Sequence, residues 1–218
     1  MKEIYILGSG GFSKEVFFLL KEINKSSVVP EYDFKGFIDV TTEENVYVGN
    51  NCYPIINEDK FVQSSEYQGA CLAVGIGNPK VLQMLHLKLS GKYDFPNLIS
   101  PTAVGDWESI RMGQGNIITS GCVFTVDIAV GSFNIFNLNT TVGHDAIIES
   151  FNVINPGVNI SGGVKVGNTN LIGTNATILQ NITIGSNSIL GAASLLTKHL
   201  ESTQVAVGVP AKPVKSNS

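Results

Sequence analysis

The chain has 218 residues, a net charge of −4, 15% charged residues and 43% apolar ones, enough for one large or two small domains. Lys and Arg form no run or stripe, which argues against a nucleic-acid partner. No apolar run approaches a membrane span, and Met1-Lys2-Glu3 leads into a strand without a leader pattern.

Residues 1–95 are predicted to form a small Rossmann-like α/β domain. Ile4-Tyr5-Ile6-Leu7 is a short apolar run, read as a buried parallel strand. Gly8-Ser9-Gly10-Gly11 follows, and Val16, Leu19, Leu20 and Ile23 then repeat at helical spacing over Ser13 to Ile23. A strand, a glycine turn and a helix start can face an anionic phosphate with backbone N–H groups. Ser13 stands where a dinucleotide fingerprint has its third glycine, which speaks against a dinucleotide ligand.

Gly36-Phe37-Ile38-Asp39 reads as the second strand, and its terminal acid can accept hydrogen bonds from a ribose or a base. Ala70 to Val74 reads as a further strand, ending in a second glycine turn, Gly75-Ile76-Gly77-Asn78-Pro79. Val81 to Leu89 has helical spacing, and His86 on it is expected to be exposed or at a helix end. About 95 residues hold only about half of a dinucleotide fold, so a mononucleotide, or the nucleotide end of a larger ligand, is expected. Cys52, Cys71 and Cys122 lack metal-ligand spacing; a scattered, odd count fits buried thiols in a reducing cytoplasm.

Tyr93 to Ser100 reads as the linker into a second domain, residues 96–218. There, every sixth residue from Val130 to Leu196 is large and apolar: Val130, Phe136, Val142, Ile148, Ile154, Ile160, Val166, Ile172, Ile178, Ile184, Leu190 and Leu196. A fixed six-residue period signals a parallel β-helix. Each hexapeptide forms one flat side, and three sides close a coil. Coils then stack their inward residues into one core. Gly often follows the inward residue, as at Gly131, Gly143 and Gly167, and is assigned to corners that turn sharply or need positive φ. Before Val130 the repeat is read weakly at Leu98, Val104 and Ile110, slipping by one to Ile117 and Val123 and again to Val130.

The regular run carries one histidine, His144, with Asp145 beside it and Gly162 eighteen residues on, hence one coil away. A carboxylate next to an imidazole fixes its tautomer and raises its basicity. A free N–H at Gly162 is placed to stabilise an oxyanion. After the coil, Lys212 stands beside a rigid turn in Gly208-Val209-Pro210-Ala211-Lys212.

The hexapeptide run, Gly143-His144-Asp145, the Gly208–Lys212 segment and the Gly8–Gly11 domain together resemble the acetyl-CoA-dependent left-handed β-helix acyltransferases. Within these the chain is similar to the bacterial nucleotide-aminosugar N-acetyltransferases and the related sialic acid O-acetyltransferases. The resemblance implies left-handed coils and a homotrimer with active sites between subunits. It implies His144 as general base, supported by Asp145, and an amide at Gly162 for the thioester oxygen. Thr174, Ala192, Pro210 and Lys212 would contact the CoA. Gly8, Ser9, Gly10, Gly11, Asp39, Gly77, Asn78 and Asn137 would contact a nucleotide-linked amino sugar. Some relatives carry His where this chain has Phe12 and Val153; Asn155, near the second, would supply polar contacts instead. The expected reaction is N-acetylation of a sugar 4-amino group by direct attack. Sugar O-acetylation would need the same base. A non-catalytic β-helix scaffold and a NAD-binding regulator are the rivals from other classes.

Overall fold

The structure, a computed structural model, describes residues 1–217. The α/β domain runs β1 (Lys2–Leu7), α1 (Gly11–Ser26), β2 (Tyr32–Asp39), β3 (Asn45–Val48), β4 (Asn51–Asn57), α2 (Glu58–Gln63), β5 (Cys71–Val74) and α3 (Pro79–Leu89). Its sheet has the order β3-β4-β2-β1-β5. β4, β2, β1 and β5 are parallel, and β3 pairs antiparallel with β4.

Ile4 to Leu7 are all buried because helices cover both sides of a parallel strand. α1 buries Val16, Leu19, Leu20 and Ile23 as their spacing predicts, and Phe17 with them. α3 begins two residues before the predicted start. Pro79 sits in its first turn, where no N–H is needed, and the Asn78 side chain accepts from the Lys80 and Val81 amides. The β3–β4 hairpin is absent from the sequence reading. Its signal is there, in Gly49-Asn50 joining Val48 to Asn51, with Gly49 at φ +61°.

The β-helix has three faces. The first stacks Leu98–Ile99, Ile117–Ile118, Ile135–Phe136, Val153–Ile154, Leu171–Ile172 and Ile189–Leu190. The second runs from Val104–Gly105 to Leu195–Leu196 and the third from Arg111–Met112 to Thr183–Ile184. All pairs between coils are parallel, and Thr141 meets Asn159 eighteen residues later. The inward residues from Val130 to Leu196 form one buried core. The hairpin Gln204–Gly208 and Ala211–Ser216 continues the first face at its far end.

Two readings of the coil need correction. The inward register extends back without a slip through Phe124, Ile118 and Met112; Phe124 is 2% exposed while Val123 is 39% exposed. A single extra residue lies between Gly105 and Met112, where Trp107 packs on Phe124. Ile117 looked inward because it is buried, but it is buried from outside. With Ile135 and Val153 it forms the outer side of the first face and packs into the α/β core.

The glycines after the inward residues also serve a different purpose from the one predicted. A Cβ on Gly143 would lie 2.6 Å from the Gly162 N, and one on Gly173 would lie 2.4 Å from the Ala192 N. They are glycine because the next coil's backbone passes too close for a side chain. The left-handed corner positions fall mostly to others, including Asp127, Asn139, Asp145, Asn175, Asn181 and Asn187. Short polar side chains tolerate that conformation best after glycine.

Between the third and first faces, Asn116, Asn134, Asn152 and Asn170 are fully buried. The Asn116 Oδ1 accepts from the Asn134 N–H and Nδ2, and the Asn134 Oδ1 accepts from the same two groups of Asn152. This ladder satisfies polar groups that the tight corner removes from water. His86 departs from its expected exposed place. It packs with tilted rings against Phe133 and Phe151 at the junction with the β-helix, and among the described residues its buried Nδ1 has no hydrogen-bond partner. Cys52 is exposed, whereas Cys71 and Cys122 are buried. No helix among the described residues is long and apolar enough to cross a membrane.

Candidate active site

His144 and Asp145 occupy the corner after the second-face strand Thr141–Val142. Val142 points inward, so the chain emerges two residues later with the imidazole outside the prism. Asp145 takes the left-handed corner position at φ +58°. Its Oδ2 lies 2.7 Å from His144 Nδ1, so Nδ1–H donates to the carboxylate and Nε2 is left as the basic nitrogen. Both side chains are more than half exposed in the single chain.

Gly162 lies one coil on, directly against the imidazole. A Cβ there would fall 2.6 Å from His144 Nε2 and 2.7 Å from Cε1. The Gly162 carbonyl accepts from the Asn181 N–H, and Gly163 N–H donates to the His144 carbonyl. Among the described residues the Gly162 N–H donates to no protein group. A basic nitrogen and an unused amide thus share one corner.

The other expected residues form separate groups. Thr174 and Ala192 stack one coil apart at the exposed corner between the first and second faces, where the Thr174 carbonyl accepts from Ala193 N–H. Asn137 belongs to that corner too, and its Oδ1 accepts from Leu138 N–H. Pro210 forms the turn of the terminal hairpin, and Lys212 is exposed on its last strand. One whole face separates Thr174 and Ala192 from His144. Asn155 sits at the same corner as Asn137, away from the imidazole, and Val153 is packed under the α/β domain.

The α/β residues gather at the carboxyl edge of the sheet. Gly8, at φ +95°, is glycine for packing, since a Cβ would lie 2.7 Å from Ile76 Cγ1. Gly10, Gly11 and Gly77 face open space, with no atom within 4 Å of a Cβ. α1 has no side-chain cap and no acidic residue in its first turn, so its leading amides are free for an anion. Asn78 caps α3, and Asp39 hydrogen-bonds to Ser9. The α/β domain packs on the first face, and His144 stands at the corner opposite that face. One chain therefore does not bring the glycine turns to the histidine.

Comparison with known proteins agrees with this architecture. Residues 3–89 match the family described as the PglD N-terminal domain. Perosamine N-acetyltransferase from Caulobacter crescentus, solved with CoA and GDP-perosamine, is similar over 99% of this chain and 98% of its own, at 27% identity and a TM-score of 0.86. Residues 3–89 belong to that amino-terminal family, and the fold of the whole chain is that of the hexapeptide-repeat acetyltransferases of the left-handed β-helix class. Two further members of this fold are the acetyltransferase domain of PglB from Neisseria gonorrhoeae and WeeI from Acinetobacter baumannii. PglB, solved with acetyl coenzyme A, has 24% identity and a TM-score of 0.84 over 98% of this chain and 99% of its own. WeeI has 23% identity and a TM-score of 0.83 over 98% and 100%. Among curated proteins, none matches significantly by sequence.

Proposed function

We propose that this hexapeptide-repeat protein moves the acetyl group of acetyl-CoA to the 4-amino group of a nucleotide-linked amino-dideoxy sugar, with His144 as general base. The observation that carries the reading is the shared corner, with His144 Nε2 against Gly162, a free Gly162 N–H and Asp145 on Nδ1. The similar perosamine enzyme, solved with CoA and GDP-perosamine, supports the pairing of co-substrates.

Acetyl-CoA supplies the acyl group as a thioester. Asp145 holds the imidazole in the tautomer that leaves Nε2 unprotonated. His144 Nε2 takes a proton from the amine as its nitrogen bonds to the thioester carbon. The Gly162 N–H donates to the carbonyl oxygen as that atom gains negative charge. On collapse the C–S bond breaks, and His144 returns the proton to the departing sulfur, leaving an amide and a thiol. No cysteine stands at this corner to form an acyl-enzyme: Cys122 is buried in the coil, and Cys52 and Cys71 belong to the α/β sheet. Direct attack follows, and co-binding of both substrates supplies much of the rate.

The glycine turns are read as the nucleotide site, through Gly10, Gly11 and Gly77. Thr174, Ala192, Pro210 and Lys212 are read as the CoA side. Because one chain separates these groups from His144, the complete site is read as shared between copies in a homotrimer. Use of acetyl-CoA and a nucleotide sugar assigns the reaction to the cytoplasm.

The test is acetyl-CoA consumption with UDP-, dTDP- and GDP-linked 4-amino sugars, with free sialic acid alongside. Turnover with one nucleotide-linked amine is expected. Turnover with sialic acid alone would make a hydroxyl the acceptor, and none at all would leave a binding protein.

A further inference from the structure

Asp39 ends β2, the place where dinucleotide folds carry an acid that takes ribose hydroxyls. Here its oxygens are already engaged. Oδ2 accepts the Ser9 N–H at 2.7 Å and the Ser9 hydroxyl at 2.6 Å, and Oδ1 accepts the Val40 N–H at 2.7 Å. These bonds tie β2 to the residue between Gly8 and Gly10. The opposite flank is tied as well. Ser13, wholly buried, donates its hydroxyl to the Gly75 carbonyl at 2.9 Å. A Cβ on Gly75 would lie 2.7 Å from Ser13 Cα, so the second turn is pressed against the start of α1. Between the two ties, Gly10 and Gly11 face open space, and the N–H groups of Gly10, Gly11 and Phe12 donate to no protein group among the described residues.

A carboxylate free to face this turn would repel an incoming diphosphate. Bound to Ser9, its charge is met by an N–H and an O–H. We infer that Asp39 is a positioning residue for the nucleotide. It clamps Ser9, fixes the amides of Gly10 and Gly11 toward the diphosphate, and does not select the sugar of the nucleoside through its 2′-hydroxyl. The inference rests on the reading of the glycine turn as the phosphate site. It carries a specificity consequence: nucleotides with ribose and with 2′-deoxyribose bind alike.

The experiment is calorimetric titration of the full chain with UDP, 2′-deoxy-UDP, GDP and 2′-deoxy-GDP, using wild type, Ser9→Ala, Asp39→Ala, Asp39→Asn and the double variant Ser9→Ala/Asp39→Ala. Wild type should bind both members of one pair with the same affinity within about twofold. Loss of a charge-assisted clamp should weaken both by about tenfold in Asp39→Ala. Asp39→Asn, which keeps the shape and one acceptor, should fall between it and wild type, and it decides the matter if Asp39→Ala does not fold. The double variant should be no more than about twofold weaker than Asp39→Ala, since both changes break one interaction. The KM for acetyl-CoA should not move. Loss confined to the ribose forms in Asp39→Asn, or fully additive losses in the double variant, would make Asp39 a direct ligand and overturn the inference. Failure of wild type to bind any of the four, or dTDP titrated alongside them, would instead remove the phosphate reading, and the clamp with it.

Discussion

The His144 imidazole lies flat against Gly162, so close that a Cβ on Gly162 would fall 2.6 Å from Nε2. Gly162 thus serves the histidine before it serves any ligand. It is the notch in the corner column that lets the ring settle between coils. Position 162 is not left-handed, so a side chain there meets the ring and not backbone strain.

Gly162→Ala should therefore fold normally and catalyse poorly. The ring is the free end of a side chain and swings away at little cost to stability. Displacing a base and crowding an amide donor should lower kcat by about 10²–10³-fold. Thermal unfolding within a few degrees of wild type, together with that loss, is the expected pair of results. A kcat near wild type would mean that ring placement over Gly162 is not needed.

Asp145 has two duties, a left-handed corner and a charge beside Nδ1. Asn also tolerates the left-handed corner, as Asn139, Asn175 and Asn181 show in this chain. Asp145→Asn should leave unfolding unchanged and lower kcat by about tenfold or more, through loss of the charge that steadies the imidazolium. Asp145→Ala should lose activity and about 1 kcal/mol of stability as well. A wild-type kcat in Asp145→Asn, with losses confined to Asp145→Ala, would assign Asp145 to the turn alone.

Much of this was legible in the residues. The six-residue period announces the coil, because inward positions must all be apolar, and eighteen-residue arithmetic places Gly162 against His144. The early register was not legible, because Ile117 is buried by the α/β domain and imitates an inward residue. Periodicity reports burial and not the side it comes from. The glycine positions were visible but their cause was not, since close approach of the next coil appears only in three dimensions. The separation of His144 from Thr174, Ala192 and the glycine turns was likewise hidden. It follows from which corner each hexapeptide ends on and which face the α/β domain covers.

The asparagine ladder should be a main support of the coil. The Asn134 Oδ1 accepts from both the N–H and the Nδ2 of Asn152, and the Asn134 Nδ2 donates to the Asn116 Oδ1. Asn134→Ala leaves the buried Asn152 N–H without a partner and removes one bond each from Asn152 Nδ2, which keeps the Glu149 carbonyl, and from Asn116 Oδ1, which keeps the N–H of residue 134; this should cost about 2–3 kcal/mol. Denaturant unfolding measures it. A loss below 1 kcal/mol would mean that water or a local shift replaces the ladder.

Thiol reactivity checks burial independently. Burial raises the pKa of the Cys71 and Cys122 thiols, so less thiolate is present at a given pH, and access is closed as well. Cys52 is exposed. An aromatic disulfide reagent at neutral pH should titrate one thiol quickly in the native protein and three after denaturation. Rapid reaction of two or three native thiols would contradict this packing.

The proton acceptor is tested most directly by the steady-state kinetics of folded His144→Ala with acetyl-CoA and the nucleotide-linked amino sugar that supports turnover. The imidazole is exposed outside the core, so the variant should keep its circular dichroism and bind both substrates with KM values within a few-fold of wild type. Its kcat should fall by about 10²–10⁴-fold, the usual contribution of a positioned base. A folded His144→Ala that acetylates the sugar within a few-fold of the wild-type rate would show that another group, or water, accepts the proton.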